Sequence, residues 1–108
     1  MGIRSDVGIA IKKNVQLSED TVAWLKEYCW EELSHKDGTL YVLNGVKWYD
    51  LDPRVVNLNN ELDNYNSRDY KIIEACSEFP NSGVDSGDWD DNPWDLYKEV
   101  SVSLGYVS

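Results

Sequence analysis

The stretch from Asp85 to Tyr106 holds the densest cluster of chemically capable groups in the chain: Asp85, Asp88, Asp90, Asp91 and Asp95, set among Trp89, Pro93 and Trp94. Carboxylates at alternate positions are what a cation-binding loop uses. Asp88, Asp90, Asn92 and Glu99 fall at the first, third, fifth and twelfth positions of an EF-hand loop. The sixth position, where that loop needs glycine for its sharp turn, is Pro93, and Glu99 lies in a stretch of strand pattern without flanking helices. An EF-hand is therefore not expected, and no metal or cofactor is implied. Two of these carboxylates beside tryptophans would also suit glycoside cleavage, with the indoles stacked on a sugar ring. In a chain with twenty acidic residues such pairs arise easily by chance. The simpler expectation is that the tryptophans pin the loop to a sheet while the aspartates are solvated or cap turns.

Other catalytic chemistry has little to work with. His35 is the only histidine, and no motif sets a serine or cysteine beside it. Cys29 and Cys76 have neither CxxC nor zinc spacing and read as free, buried thiols. The expectation is a protein that is not an enzyme. Five tryptophans and seven tyrosines are more than a core of this size needs, and such residues concentrate at binding hot spots. The candidate binding residues are Asp85, Asp88, Trp89, Asp90, Asp91, Trp94 and Asp95, with Trp89 or Trp94 as anchor. The alternative is a small metal- or ligand-binding protein that uses the Asp85–Asp95 loop.

Charge narrows the partner. Over 108 residues the net charge is −10. Residues 1–49 carry six Lys/Arg against seven Asp/Glu, and residues 50–99 carry four against thirteen, so the excess belongs to the second half. A surface of that sign keeps a protein soluble and steers it toward a basic, nucleic-acid-binding partner. It does not suit direct contact with nucleic acid or an anionic membrane, because the longest basic run is Lys12-Lys13. Nothing in Met1–Lys13 reads as a hydrophobic leader, and Asp6 stands where a myristoylation pattern needs Ser or Thr.

The elements that must position these residues make one domain, 1–108. Val7, Ile9 and Ile11 alternate with Gly8 and Ala10, which predicts a first strand whose second face is small enough for close approach. Ser18 as N-cap, with Glu19 and Asp20 in the first turn, opens a helix expected to run to Leu33. Its buried stripe is Val22, Leu25, Cys29 and Leu33, and His35, Lys36 and Gly38 close it; Trp24 and Tyr28, four apart, pair beside the stripe, at the core's edge in the favoured reading and as a binding surface in the other. Thr39–Leu43 is a strand, and Asn44-Gly45 is either a hairpin turn that returns the chain through Val46–Tyr49 or a turn that simply leads it onward. Asp52 and Pro53 start a second helix, to about Asn64, that faces inward through Val55, Leu58 and Leu62. Leu17 with Val22 and Leu51 with Val56 have the spacing of hydrophobic staples at the two helix starts. Tyr70–Phe79 is an interior strand, apolar on both faces, and Val100, Val102, Leu104 and Tyr106 give a last strand under the core. The expected fold class is α+β: a two-layer, about four-stranded mixed or antiparallel sheet with two helices on one face, in the order β-α-β-α-β-β.

Short motifs add a family resemblance. Met1-Gly2-Ile3-Arg4-Ser5-Asp6, Val46-Lys47-Trp48-Tyr49, Glu74-Ala75-Cys76, Asp91-Asn92-Pro93-Trp94-Asp95 and Val100-Ser101-Val102-Ser103 resemble a family of small tailed-bacteriophage proteins. The resemblance implies a phage origin and action in the host bacterial cytoplasm. Small acidic phage proteins often bind and disable a host enzyme or defence complex, some by imitating the charge of DNA. The expected function is thus inhibition of a host protein with a basic surface.

Overall fold

The computed structural model describes residues 5–48, 51–75, 85–99 and 103–105. Its elements are strand β1 (Ser5–Lys12), helix α1 (Glu19–Tyr28), strands β2 (Cys29–His35) and β3 (Gly38–Val46), helix α2 (Pro53–Leu62), strand β4 (Tyr70–Ala75) and the short strands β5 (Asp85–Ser86), β6 (Tyr97–Glu99) and β7 (Ser103–Gly105). The main sheet has the order β2-β3-β1-β4-β5 and is antiparallel at every pairing. The fold is α+β, as expected, with both helices on one face. It keeps the expected element order and adds strand β2 where the sequence reads as helix.

The pleat of β1 divides the core in two. Val7, Ile9 and Ile11 point to the helix side and pack with Tyr41, Leu43, Ile72, Leu25 of α1 and Val55, Leu58 and Leu62 of α2. Ala10 points the other way, with Leu40, Val42 and Ile73, and this face is covered by Trp89, Trp94 and Leu96. A sheet buried on both faces needs apolar residues at successive positions. Ile72 and Ile73 supply them in β4, one to each core.

The helices start as their sequences dictate. Ser18 caps α1, its Oγ accepting from the Thr21 N–H at 3.3 Å, and Glu61 of α2 reaches across to accept from the Ser18 N–H and the Thr21 hydroxyl. A carboxylate there offsets the positive end of the helix dipole. Asp52 caps α2, accepting from the Arg54 N–H at 2.9 Å, with Pro53 at the first helical position. Leu51 is exposed, so the staple expected at this end is not closed.

Three expectations are corrected. The first helix ends at Tyr28, and Cys29–His35 turns into an edge strand paired with β3. Cys29 and Leu33, four apart, imitate a helical stripe, but the strand sends Cys29 to the helix-side core and Leu33 to the opposite one. His35, Lys36 and Gly38 therefore belong to a β2–β3 hairpin with His35 opposite Gly38, and do not close a helix. Gly38 is required there because a Cβ would lie 2.0 Å from the Ile11 carbonyl oxygen. Asn44-Gly45 is not a hairpin turn. The strand runs through it to Val46 with a register shift against Ser5 and Val7, and Gly45 takes φ 64°, the left-handed conformation that a bulge favours. Finally, β7 pairs with β6 in a separate two-stranded ribbon and is not a strand of the main sheet, although its backbone lies close to β1 and β4 as a strand under the core would. Tyr49, Cys76–Gly83, Val100, Val102 and Tyr106 lie outside the described residues. Among the described residues no helix is long and apolar enough to cross a membrane.

Candidate functional site

The acidic loop is a lid on the second face of the sheet. Trp89 and Trp94 are each 4% exposed, packed edge to face with ring centroids 5.8 Å apart. They rest on Ala10, Leu40, Val42 and Ile73, where the small side chain of Ala10 makes room for an indole. Buried Asn92 fixes the loop from inside: its Nδ2 donates to the Trp89 carbonyl at 2.8 Å, and its Oδ1 accepts from the Leu96 N–H at 3.0 Å. Asp95, at φ 50°, is the one non-glycine residue with positive φ among the described residues. Gly87 enters the loop at φ 85°, where a Cβ would lie 2.2 Å from the Tyr70 carbonyl oxygen that accepts from the Trp89 N–H.

This geometry corrects the choice of anchor. Trp89 and Trp94 belong to the core of the free protein and are not presented to a partner. The loop acids lie around them without converging. Asp88 is exposed and accepts from the Ser67 hydroxyl at 2.7 Å. Asp90 pairs with Lys71 at 2.8 Å. Exposed Asp91 borders a hollow with Lys12, Lys13 and Asn14, Asp95 is exposed, and Asp85 has its backbone in β5. The EF-hand spacing is not realised, since Asn92 turns inward, Glu99 has its backbone in β6, and strands flank the loop. Among the described residues no three His, Cys, Asp or Glu side chains are gathered so as to hold a metal ion.

A second aromatic cluster lies elsewhere, where α1, the end of β3 and the start of α2 meet. Trp24 and Trp48 stack with centroids 5.7 Å apart and planes at 17°. The Arg54 guanidinium lies 5.5 Å from the Trp24 ring centre and 5.4 Å from that of Tyr28. These four line a groove of about 470 Å³ together with Glu27 and Lys47. Asp52 holds the guanidinium by two bonds, Nε to Oδ1 at 3.2 Å and Nη2 to Oδ2 at 3.0 Å. That contact pushes the Arg54 pKa further up and holds the Asp52 carboxyl below its usual range. The arrangement offers flat apolar faces edged by a fixed positive charge, which suits recognition more than proton transfer.

Two residues past the groove's Tyr28, Trp30 stands 73% exposed. Cys29 pairs with Leu43 and Glu31 with Val42, so Trp30 is the extra residue of a bulge that turns the indole out of the sheet. Glu32, on the same side as Cys29, raises the Tyr41 and Cys29 pKa values, second in each case to burial. Trp24 packs at the core's edge, as the sequence predicts, whereas Tyr28 is 46% exposed and stands off it; Trp30, Trp48 and Arg54 fall outside every site that the sequence predicts. Arg54, two residues past the Asp52 cap, was the available signal for that pair. Trp30 had none while the segment read as helix.

No protein-family model, curated protein or solved structure matches this chain.

Proposed function

We propose that this protein acts by binding another protein, without catalysis, and that its partner is a host protein with a basic surface that it inhibits. The observation that carries the reading is the placement of the large aromatic side chains. Trp89 and Trp94 are committed to the core, whereas Tyr28, at 46% exposure in the lining of the Trp24–Trp48–Arg54 groove, and Trp30, at 73% two residues further along the chain, stand in solvent. A fold that can bury two tryptophans under a loop leaves these at the surface, and exposed Trp, Tyr and Arg are the residues from which binding hot spots are built. The loop acids add steering. Asp88, Asp90, Asp91 and Asp95 are exposed, so they contribute to the field that draws a basic surface in, while affinity resides in the aromatic contacts. The phage-family resemblance supports a bacterial host protein as the target, in its defence or nucleic-acid-processing machinery, with DNA mimicry as one mode.

Affinity capture from bacterial lysate, read by mass spectrometry on three matched baits, tests this. The parent should retain a basic protein that the Tyr28→Ala/Trp30→Ala variant loses. The Asp88→Asn/Asp90→Asn/Asp91→Asn variant should retain it, with slower association at low salt. Recovery of the same protein at equal yield by the folded aromatic variant would exclude this surface.

A further inference from the structure

Strand β2 is a lateral edge of the sheet: among the described residues its only strand neighbour is β3. An edge strand offers unpaired N–H and C=O groups to any extended chain that can lie beside it. Past the bulge, Glu31–His35 pairs regularly with β3, so its backbone is held straight enough to template a further strand. Exposed Trp30 stands at one end of this run, and exposed Glu32 and Ser34 alternate along it.

The charge on the strand selects the occupant. A second copy pairing antiparallel about Glu32 would set Glu32 against Glu32. Like charges directly opposite each other destabilise a strand pair. A strand with Lys or Arg opposite Glu32 gains where a second copy loses. Among the described residues no Lys, Arg or His forms an ion pair with Glu32, which leaves its charge for a partner to meet.

We propose that the edge of β2 is a strand-addition site: an extended, basic segment of a partner protein pairs antiparallel with Glu32–His35, a Lys or Arg facing Glu32 and an apolar side chain packing on Trp30. The proposal rests on the protein-binding reading above and names where and by what mode the partner docks. Main-chain hydrogen bonds supply affinity, and Glu32 with Trp30 supplies selectivity.

The test uses the full chain and two synthetic nine-residue peptides, one alternating Lys with Val and one alternating Glu with Val, read by amide hydrogen exchange and by titration. The Lys peptide should slow exchange of β2 amides, and the Glu peptide should not. Glu32→Lys should weaken the Lys peptide about five- to tenfold, the range expected for turning one cross-strand attraction into a repulsion. Asp63→Lys, the same charge change at the exposed end of α2, should leave binding within about twofold, which separates a facing charge from the net field. Trp30→Ala should weaken the peptide without lowering the melting temperature. Protection away from β2, equal losses in Glu32→Lys and Asp63→Lys, or a dimer of the free protein that protects β2 would each overturn strand addition. If lysate capture fails with the Tyr28/Trp30 bait while β2 remains unprotected by peptide, the binding surface stands and only the docking mode falls.

Discussion

Replacing Asn92 by alanine probes the loop that the two buried tryptophans depend on. The Asn92 side chain closes the loop through two bonds, to the Trp89 carbonyl at 2.8 Å and from the Leu96 N–H at 3.0 Å, both away from solvent. Alanine leaves a buried acceptor and a buried donor without partners, and each such loss costs about 1–3 kcal/mol. Partial hydration of the opened loop recovers some of this, so a net loss of about 2–4 kcal/mol is expected, against a typical domain stability of about 5–15 kcal/mol. For a domain of this size that lowers the melting temperature by on the order of 10–25 °C. Urea unfolding followed by near-ultraviolet circular dichroism measures the change, since the edge-to-face pair Trp89–Trp94 dominates the packing at this face. Asn92→Asp makes the argument sharper. Its carboxylate can still accept from Leu96 but opposes the Trp89 carbonyl, so it should be at least as unstable at neutral pH. It should then regain stability relative to the parent as acid protonates the carboxyl and restores a donor. A loss below about 0.5 kcal/mol for Asn92→Ala would show that the loop is held by something else.

Trp94→Ala should cost about 3–5 kcal/mol because it empties a buried site, whereas Trp30→Ala should stay within about 0.5 kcal/mol; equal melting temperatures for the two would contradict the division between core and surface tryptophans. Gly38→Ala should be far more damaging than Gly45→Ala, since the first meets the Ile11 carbonyl at 2.0 Å and the second meets open space at φ 64°; chemical denaturation of both variants decides it. The Cys29 thiol should titrate above the usual value of about 8.5. On a Cys76→Ser background it should therefore react slowly with disulfide reagents at pH 8, and Glu32→Gln should speed it. By the same raised pKa, the stability held in the protonated thiol is complete below about pH 8.5 and declines as pH climbs through the folded value.

The elements with both a start signal and a clean period were legible in the sequence. Ser18 and Asp52-Pro53 announced the two helices, and Val7–Ile11 announced the central strand. The three- and four-residue spacing of Val55, Leu58 and Leu62 placed the second helix against the core. What was not legible depended on pairing across the sheet. Cys29 and Leu33 suit a helix locally and become strand because β3 lies beside them and each side chain finds a different core. Asn44-Gly45 has turn chemistry, yet Gly45 absorbs a register shift because β1 continues past it and Asp6 accepts from the Gly45 N–H at 2.9 Å. The loop misled in a related way. Its charge marks it as surface, and by sequence alone the tryptophans between the acids share that surface. In the fold Gly87, Asn92 and Asp95 turn the chain so that aspartates and indoles face opposite ways. The aromatic groove was out of reach because Trp24, Trp48 and Arg54 come from three separate segments.

The central claim is that this protein binds a basic partner through its exposed aromatic residues and is steered to it by its acids. Once a partner has been captured, surface plasmon resonance across a range of salt concentrations tests both halves in one measurement. The account predicts that Trp30→Ala leaves association unchanged and speeds dissociation by at least about tenfold. It also predicts that the Asp88→Asn/Asp90→Asn/Asp91→Asn variant associates more slowly at low salt, with a flatter salt dependence. A folded Trp30→Ala protein that dissociates at the parent's rate would contradict it.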